Sequence, residues 1–169
     1  MNYTIRPIRV EDAPDLNEMY TMDGVRENVL GLFSGRINQT EEFIKSLDQN
    51  QYHMVAEVCE NGTKKVVGSV SLTVSQTPRT RHTASLGIMV HKDYQGKGIG
   101  TALLEKILDL ADNWLMLVRV ELTVFVENEK ALGLYKTHGF QIEGTKKYGA
   151  IRNGKYDDEY LMARYRNLK

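Results

Sequence analysis

Residues 87–108 read GIMVHKDYQGKGIGTALLEKIL, with a glycine-rich turn between a short apolar run and an amphipathic segment. Gly96, Gly98 and Gly100 lie within five positions, and apolar residues repeat at helical spacing after them. Glycine destabilises a helix, so three glycines at its start indicate that something approaches the backbone closely. Because a helix N-terminus carries unpaired amides and a positive dipole end, the stretch predicts a phosphate site.

Two common nucleotide motifs do not fit this turn. The dinucleotide fingerprint G-x-G-x-x-G would need its third glycine at Thr101 or Leu103. A P-loop ending at Lys97 would need glycine at His91 and a hydroxyl at Gly98. The remaining pattern is Gln-x-x-Gly-x-Gly between a strand and a helix, which indicates either a pyrophosphate cradle or a tightly packed corner.

Composition limits the class of protein. The 169 residues suit one domain, which we place at 1–169. Lys plus Arg and Asp plus Glu both number 22, so bulk charge favours no nucleic-acid partner. Cys59 is the single cysteine, and no apolar run resembles a signal peptide or a membrane span. These features predict a soluble cytoplasmic protein without a membrane or nucleic-acid partner.

Periodicity along the chain predicts the order β-α-α-β-β-β-α-β-α-β-β. This order implies an α+β fold with a mixed, mostly antiparallel sheet. Pro7 places the first strand near a sheet edge, and 22–38 is predicted to be an irregular substrate loop. The second helix is predicted from Thr40, whose hydroxyl would cap it, to about Gln49. The remaining predicted elements are strands at 52–60, 65–76, 81–91 and 119–126, helices at 98–114 and from Asn128 to Gly139, and two strands joined by Asn153-Gly154.

The stretch 87–108, followed by VENEKALGLYKTHGF at 126–140, resembles the GNAT superfamily of N-acetyltransferases. The C-terminal half also resembles bacterial L-amino-acid N-acetyltransferases. The resemblance implies acetyl-CoA as co-substrate, a splayed pair of fourth and fifth strands, and a homodimer. It implies that cofactor-binding residues are Ile88, Met89, Val90, Gln95, Gly96, Lys97, Gly98, Ile99, Gly100, Thr101, Asn128 and Tyr135.

The resemblance also implies catalytic roles. Tyr135 is the expected general acid for the departing thiolate, and a free amide near Met89 is the expected oxyanion donor. Some family members carry a glutamate where this chain has Thr123. Glu121 is therefore the candidate base acting through water, with Glu127 as an alternative, although an α-amino group with a pKa of about 8 needs no strict base.

The predicted reaction is acetyl transfer to a primary amine by direct attack, with the α-amino group of an L-amino acid as the preferred acceptor. A protein N-terminus, a polyamine or an aminoglycoside is the alternative, and a non-catalytic acyl-CoA sensor is an alternative of another class. Arg79 and Arg81 could clamp a carboxylate, and the acidic run 157–159 could attract an amine or form a solvated face with one inward residue. The four histidines show no metal-ligand spacing, so no metal is expected.

Overall fold

The computed structural model describes residues 2–166, which form a sheet of seven strands with α-helices on both faces. The strands are β1 (Tyr3–Pro7), β2 (Gln51–Glu60), β3 (Thr63–Val74), β4 (Thr83–Val90), β5 (Arg119–Phe125), β6 (Gln141–Arg152) and β7 (Lys155–Tyr165). The helices are α1 (Ala13–Thr21), α2 (Arg26–Val29), α3 (Ile37–Lys45), α4 (Ile99–Asp109) and α5 (Glu129–Thr137).

The strand order across the sheet is β1-β2-β3-β4-β5-β7-β6. All neighbouring strands pair antiparallel except β4 and β5, which pair parallel across the α4 crossover. The predicted α+β class with a mixed, mostly antiparallel sheet is confirmed. Pro7 ends β1 at the sheet edge, where its missing amide hydrogen interrupts no ladder.

The parallel pairing of β4 and β5 is short. It covers Thr83 with Arg119, Ala84 with Val120, and Ser85 with Glu121. Beyond Ser85 the strand β4 continues to Val90 along β3, without pairing to β5. The predicted splay between the fourth and fifth strands is therefore present, and it opens the middle of the sheet at the end where α4 begins.

The apolar core lies in two layers, one on each face of the sheet. The larger layer packs α4 and α5 against the central strands, with Leu103, Leu104 and Ile107 fully buried. The smaller layer packs α1 and α3 against the other face through Met19 and Ile44. The four longer helices each bury apolar side chains along one face, as their sequence periodicity predicts, whereas α2 has no buried residue.

Two features of the N-terminal region differ from the prediction. The segment 22–38 is not wholly irregular, because it contains the short helix α2. The helix α3 begins at Ile37, where the Arg36 amide donates to Oε1 of Gln39 at 3.1 Å, and it ends at Lys45 rather than near Gln49. Thr40 therefore lies inside the helix, and its hydroxyl donates to Oδ1 of Asn17 at 3.2 Å instead of capping.

Candidate active site

The glycine-rich turn is built to present backbone amides. Gly96 and Gly98 have φ of +71° and +82°, in the left-handed region that favours glycine, and an added Cβ at either would contact nothing. Gly98 is the N-cap of α4, and its carbonyl accepts the Ala102 amide at 3.0 Å. The amides of the first helical turn, from Ile99 onward, have no partner within the helix, so they can donate to an anion.

Side chains around the turn hold its shape. The Gln95 side chain donates through Nε2 to the Val90 carbonyl at 3.0 Å, tying the turn to the end of β4. The Ile99 side chain is 1% exposed, so it anchors α4 in the core and offers only its backbone to a ligand. Lys97 is exposed, and its Nζ lies 5.0 Å from the centre of the Tyr94 ring.

The register of β3 and β4 decides which amides face the split. His91 donates to the Val67 carbonyl and Ser75 donates to the Thr83 carbonyl, so odd-numbered residues of β4 point their backbone groups toward β3. The amides of Ile88 and Val90 therefore point away from β3, into the split. The Met89 amide faces β3, so the free amide expected near Met89 belongs to one of its two neighbours.

A cavity of about 560 Å³ occupies the split between β4 and β5. It is bounded by the turn, by the end of β4 and by the first half of α5. Ten of the twelve predicted cofactor-binding residues line it, while Lys97 and Ile99 do not; the ten are Ile88, Met89, Val90, Gln95, Gly96, Gly98, Gly100, Thr101, Asn128 and Tyr135.

The helix α5 brings Asn128 and Tyr135 to this cavity. The Asn128 carboxamide oxygen accepts the Ala131 amide at 3.3 Å, so Asn128 caps α5 while it also lines the cavity. Tyr135 lies seven positions further along and is 6% exposed, against the Phe140 ring. Burial raises the pKa of the Tyr135 hydroxyl to about 12, so the hydroxyl remains protonated at neutral pH.

A second cavity, of about 240 Å³, adjoins the first on the face of the sheet that carries α1 and α2. The residues shared by the two cavities are Asn28, Val29, Ile88, Met89, Thr123 and Tyr135. The second cavity extends to His53 on β2 and to Glu159 on β7. Burial lowers the pKa of His53, whose ring contacts Phe43 edge-on, so its imidazole is neutral at pH 7.

Glu159 is an acidic side chain that the residue-by-residue prediction did not single out. It is 5% exposed and lines the second cavity, whereas the side chains of Asp157 and Asp158 pair with Arg152 and Lys147. The expectation of a solvated face with one inward residue thus describes this strand. The signal was the alternation along β7, which puts Glu159 on the same face as Thr123 and Phe125.

A bulge in β6 places the backbone of Gly149 against the side chain of Glu159. The pairing of β6 with β7 shifts between Lys146 and Ala150, where the Tyr148 amide donates to Asp158 at 2.9 Å. Gly149 in this bulge lies so close that an added Cβ would be 2.7 Å from Oε2 of Glu159. The bulge therefore fixes the direction of the Glu159 side chain.

The other candidate bases and the arginine clamp lie outside both cavities. Glu121 accepts a hydrogen bond from Nε of Arg119 at 2.9 Å, and Glu127 accepts one from Arg152 at 2.8 Å. Thr123 itself lines both cavities. The expected clamp residues are exposed in the corner between β3 and β4 and reach neither cavity; they are Arg79 and Arg81.

A family model of the acetyltransferase (GNAT) family matches residues 16–140, which include the turn, the split and both α5 residues. The chain belongs to the GNAT family. The predicted acetyltransferase class is thereby confirmed at the level of the family. The cavity in the split, with its first-turn amides and outward β4 amides, fits the pyrophosphate and amide-bearing arm of the acetyl-CoA that this family uses.

Two relatives and one solved structure show how the similarity is distributed along the chain. The chain is 48% identical to an L-amino acid N-acetyltransferase of Escherichia coli over 59% of this chain and 61% of that relative. It is 28% identical to a spermidine N(1)-acetyltransferase of Vibrio cholerae over 92% of this chain and 90% of that relative. A crystal structure of Vibrio cholerae spermidine N-acetyltransferase with CoA and spermine superposes with a TM-score of 0.83 at 25% identity, over 96% of this chain and 95% of that one.

Two features are absent from the described part of the GNAT chain. Within residues 2–166, no helix is both long and apolar enough to cross a bilayer. The same residues hold no group of three or more His, Cys, Asp or Glu side chains arranged to hold a metal ion.

Proposed function

We propose that this protein transfers the acetyl group of acetyl-CoA to a primary amine, with the α-amino group of an L-amino acid or a close analogue as acceptor. The observation that carries the proposal is the junction of the two cavities at Tyr135, Thr123 and Met89. One cavity has the amides that suit a phosphate-bearing donor, and the other has room for a small acceptor. Their shared rim is where the two substrates would meet.

Binding the donor is the first task of these residues. The amides of the turn and the first turn of α4 would hold the pyrophosphate, and the outward backbone groups of Ile88 and Val90 would pair with the pantetheine arm. Bound acetyl-CoA supplies a thioester whose acyl carbon accepts attack by a neutral amine. An amide at Ile88 or Val90 would stabilise the developing oxyanion, an effect of about 3 kcal/mol in comparable sites.

Tyr135 and the acceptor cavity serve the attack itself. As the amine nitrogen bonds to the acyl carbon and the carbon–sulfur bond breaks, the protonated Tyr135 hydroxyl donates to the departing sulfur. The ammonium loses one proton before the attack, and the nitrogen loses a second proton as the amide forms, which balances the proton that the departing thiolate takes up. An α-amino group with a pKa of about 8 is roughly a tenth neutral at pH 7, so water can take the proton where Thr123 replaces a carboxylate.

Two observations support the amino-acid acceptor. The relative named for L-amino acids has the highest identity of the three compared, although the alignment spans only part of each chain. The acceptor cavity of about 240 Å³ suits a compact ligand. Polyamines are the second candidate acceptor, favoured by the spermidine acetyltransferase similarity and by an acidic side chain in the cavity.

The proposal is tested by a thiol-release assay with acetyl-CoA and a panel of amines. The panel holds L-amino acids, spermidine, short peptides with free N-termini and an aminoglycoside. We expect release with L-amino acids at a rate above that with the other classes. Faster thiol release with spermidine would identify a polyamine as the acceptor. Thiol release with no amine of the panel, in a protein that still binds CoA, would support a non-catalytic sensor.

We also propose a homodimer, which rests on the resemblance alone, and a cytoplasmic location, which rests on the single cysteine and on the lack of a membrane-length apolar run in the sequence. Light scattering coupled to size-exclusion chromatography distinguishes a dimer from a monomer of 19.3 kDa.

A further inference from the structure

Glu159 is a buried carboxylate that faces a cavity without a hydrogen-bond donor of its own. It is 5% exposed and lines the second cavity. Within residues 2–166, no group donates a hydrogen bond to its side chain. Its nearest cation is Nζ of Lys146 at 3.6 Å, which is beyond hydrogen-bond distance and belongs to a side chain 55% exposed to solvent.

Among the described residues no fully buried side-chain nitrogen or oxygen lacks a hydrogen-bond partner, so the carboxylate oxygens of Glu159 are open to the cavity rather than sealed in the core. Among the described residues that line the second cavity, Glu159 is the one carboxylate, and no lysine or arginine lines it. The cavity is therefore anionic at its β7 end, while His53, Ser69 and Ser71 give it neutral hydrogen-bonding groups toward β2 and β3. A cationic group is the complement to this arrangement.

Glu159 is also close to the junction of the cavities. On the paired strands β5 and β7, Thr123 lies opposite Leu161 and Phe125 lies opposite Glu159. Glu159 is therefore the diagonal neighbour of Thr123 on the same face, at about 7–8 Å between Cα atoms. Its side chain can reach an amine that sits at the shared rim beside Thr123 and Tyr135.

We propose that Glu159 is the counter-ion that binds the ammonium form of the acceptor amine and orients it toward the junction beside Tyr135. The inference rests on the proposed function, because it takes the second cavity as the acceptor site. An L-amino acid would bind with its ammonium group inward and its carboxylate toward the mouth, since a carboxylate placed inward would meet the like charge of Glu159. A polyamine would bind through one terminal ammonium in the same place.

The test compares L-leucine with an isostere in which a neutral hydroxyl replaces the ammonium group, in the presence of CoA. Isothermal titration calorimetry measures binding of L-leucine, of its hydroxy analogue 2-hydroxy-4-methylpentanoate, and of spermidine to the CoA complex. In the wild-type protein an amine binds more tightly than the hydroxy analogue. In Glu159→Gln we expect the affinity for the amines to fall about 10- to 100-fold. The dissociation constants of L-leucine and of its hydroxy analogue should then become nearly equal.

The controls separate this role from a structural one. Glu42→Gln removes the same charge from the exposed face of α3 and should leave all three affinities unchanged. CoA affinity should be the same in Glu159→Gln as in the wild type. If Glu159→Gln does not fold or does not bind CoA, Glu159→Asp, which keeps the charge on a shorter side chain, should lower amine affinity while CoA binding is retained.

The outcomes also distinguish this inference from the proposed function. An unchanged amine-to-hydroxyl ratio in Glu159→Gln overturns the ammonium site, even if the wild type acetylates amino acids. A second outcome is that the wild type binds amines but acetylates none, while Glu159→Gln no longer prefers L-leucine over the hydroxy analogue. That outcome supports the ammonium site and overturns the proposed function. Failure of the wild-type CoA complex to bind either L-leucine or spermidine overturns the ammonium site.

Discussion

Tyr135 shows how burial constrains a catalytic role at the scale of one residue. Its pKa of about 12 lies about 3.5 pKa units above that of an ordinary thiol near 8.5. The same burial also disfavours a free thiolate at the leaving sulfur, which strengthens a hydrogen bond donated to it. We therefore infer that Tyr135 stabilises the leaving sulfur as a hydrogen-bond donor while the carbon–sulfur bond breaks.

Replacing Tyr135 with phenylalanine should separate binding from turnover. We expect kcat to fall about 100-fold because the donor to the leaving sulfur is lost. The KM for acetyl-CoA should change less than about threefold, since the phosphate and backbone contacts remain. Steady-state kinetics with both substrates varied checks this, and a Tyr135→Phe variant with the wild-type kcat would refute the assigned role.

The backbone geometry of the glycine turn was predictable from the sequence, whereas its phosphate ligand stays a prediction. The spacing of Gly96, Gly98 and Gly100 after a strand identified a backbone cradle, and failure of two other motifs narrowed the ligand. Side chains outside the cradle were harder to place. The sequence could not show that Lys97 points away from the cavity, because an exposed lysine can occupy many rotamers.

Gly98→Ala should weaken CoA binding for a local reason. The left-handed backbone at φ +82° costs alanine about 1 kcal/mol, and the added methyl group would stand where a phosphate approaches. We expect about a tenfold rise in the CoA dissociation constant. Gly154→Ala is the matched control, because Gly154 has φ +76° and equally open space but lies in the β6–β7 turn.

Thermal unfolding and CoA titration of the two variants decide the outcome. Both should lose similar stability, and only Gly98→Ala should lose CoA affinity. Equal CoA affinities in the two variants would show that the turn does not contact the phosphates.

The β6 bulge was not predictable, and it matters for the acceptor cavity. Bulges follow from pairing register, which a single strand's sequence does not reveal. The face of β7 on which Glu159 lies was foreseeable from alternation, but the position of its carboxylate depends on the bulge. The helix α2 was likewise not predicted within the segment 22–38, because four helical residues are too few to show periodicity.

Gly149→Ala should disturb the acceptor site without touching the donor site. The new Cβ would lie 2.7 Å from Oε2 and 3.1 Å from Cγ of Glu159, so the carboxylate must move. We expect kcat/KM for the amine to fall about tenfold, with the KM for acetyl-CoA unchanged. Gly144→Ala, on the same strand with open space around its Cβ, should leave both parameters as in the wild type.

At the scale of the whole molecule, two ion-pair clusters join distant parts of the chain. Arg6 on β1 bridges Asp12, before α1, and Glu57 on β2. Glu18 on α1 pairs with Lys65 on β3 at 2.8 Å and approaches His91 after β4. The side-chain hydrogen bond from Arg6 lowers the pKa of Glu57, and that from Lys65 lowers the pKa of Glu18.

These lowered pKa values predict that the free energy of unfolding decreases at acidic pH. Because the folded-state pKa of Glu57 lies below the ordinary value of 4.5, its contribution to stability is complete above that value. The contribution is lost as the pH falls through the folded-state pKa. Urea unfolding between pH 7 and pH 3 should show a free energy of unfolding that declines below about pH 5 and declines less steeply in Glu57→Gln. Identical slopes would contradict this.

The short pairing between β4 and β5 has a consequence for the molecule as a folding unit. Three residue pairs and the packing of α4 join the half formed by β1 to β4 to the half formed by β5 to β7. A donor substrate lying in the gap would connect the halves where the protein's own ladder is missing. Amide hydrogen exchange should then slow in both β4 and β5 when CoA binds. The ligand would in that case stabilise the association of the two halves as well as take part in the reaction.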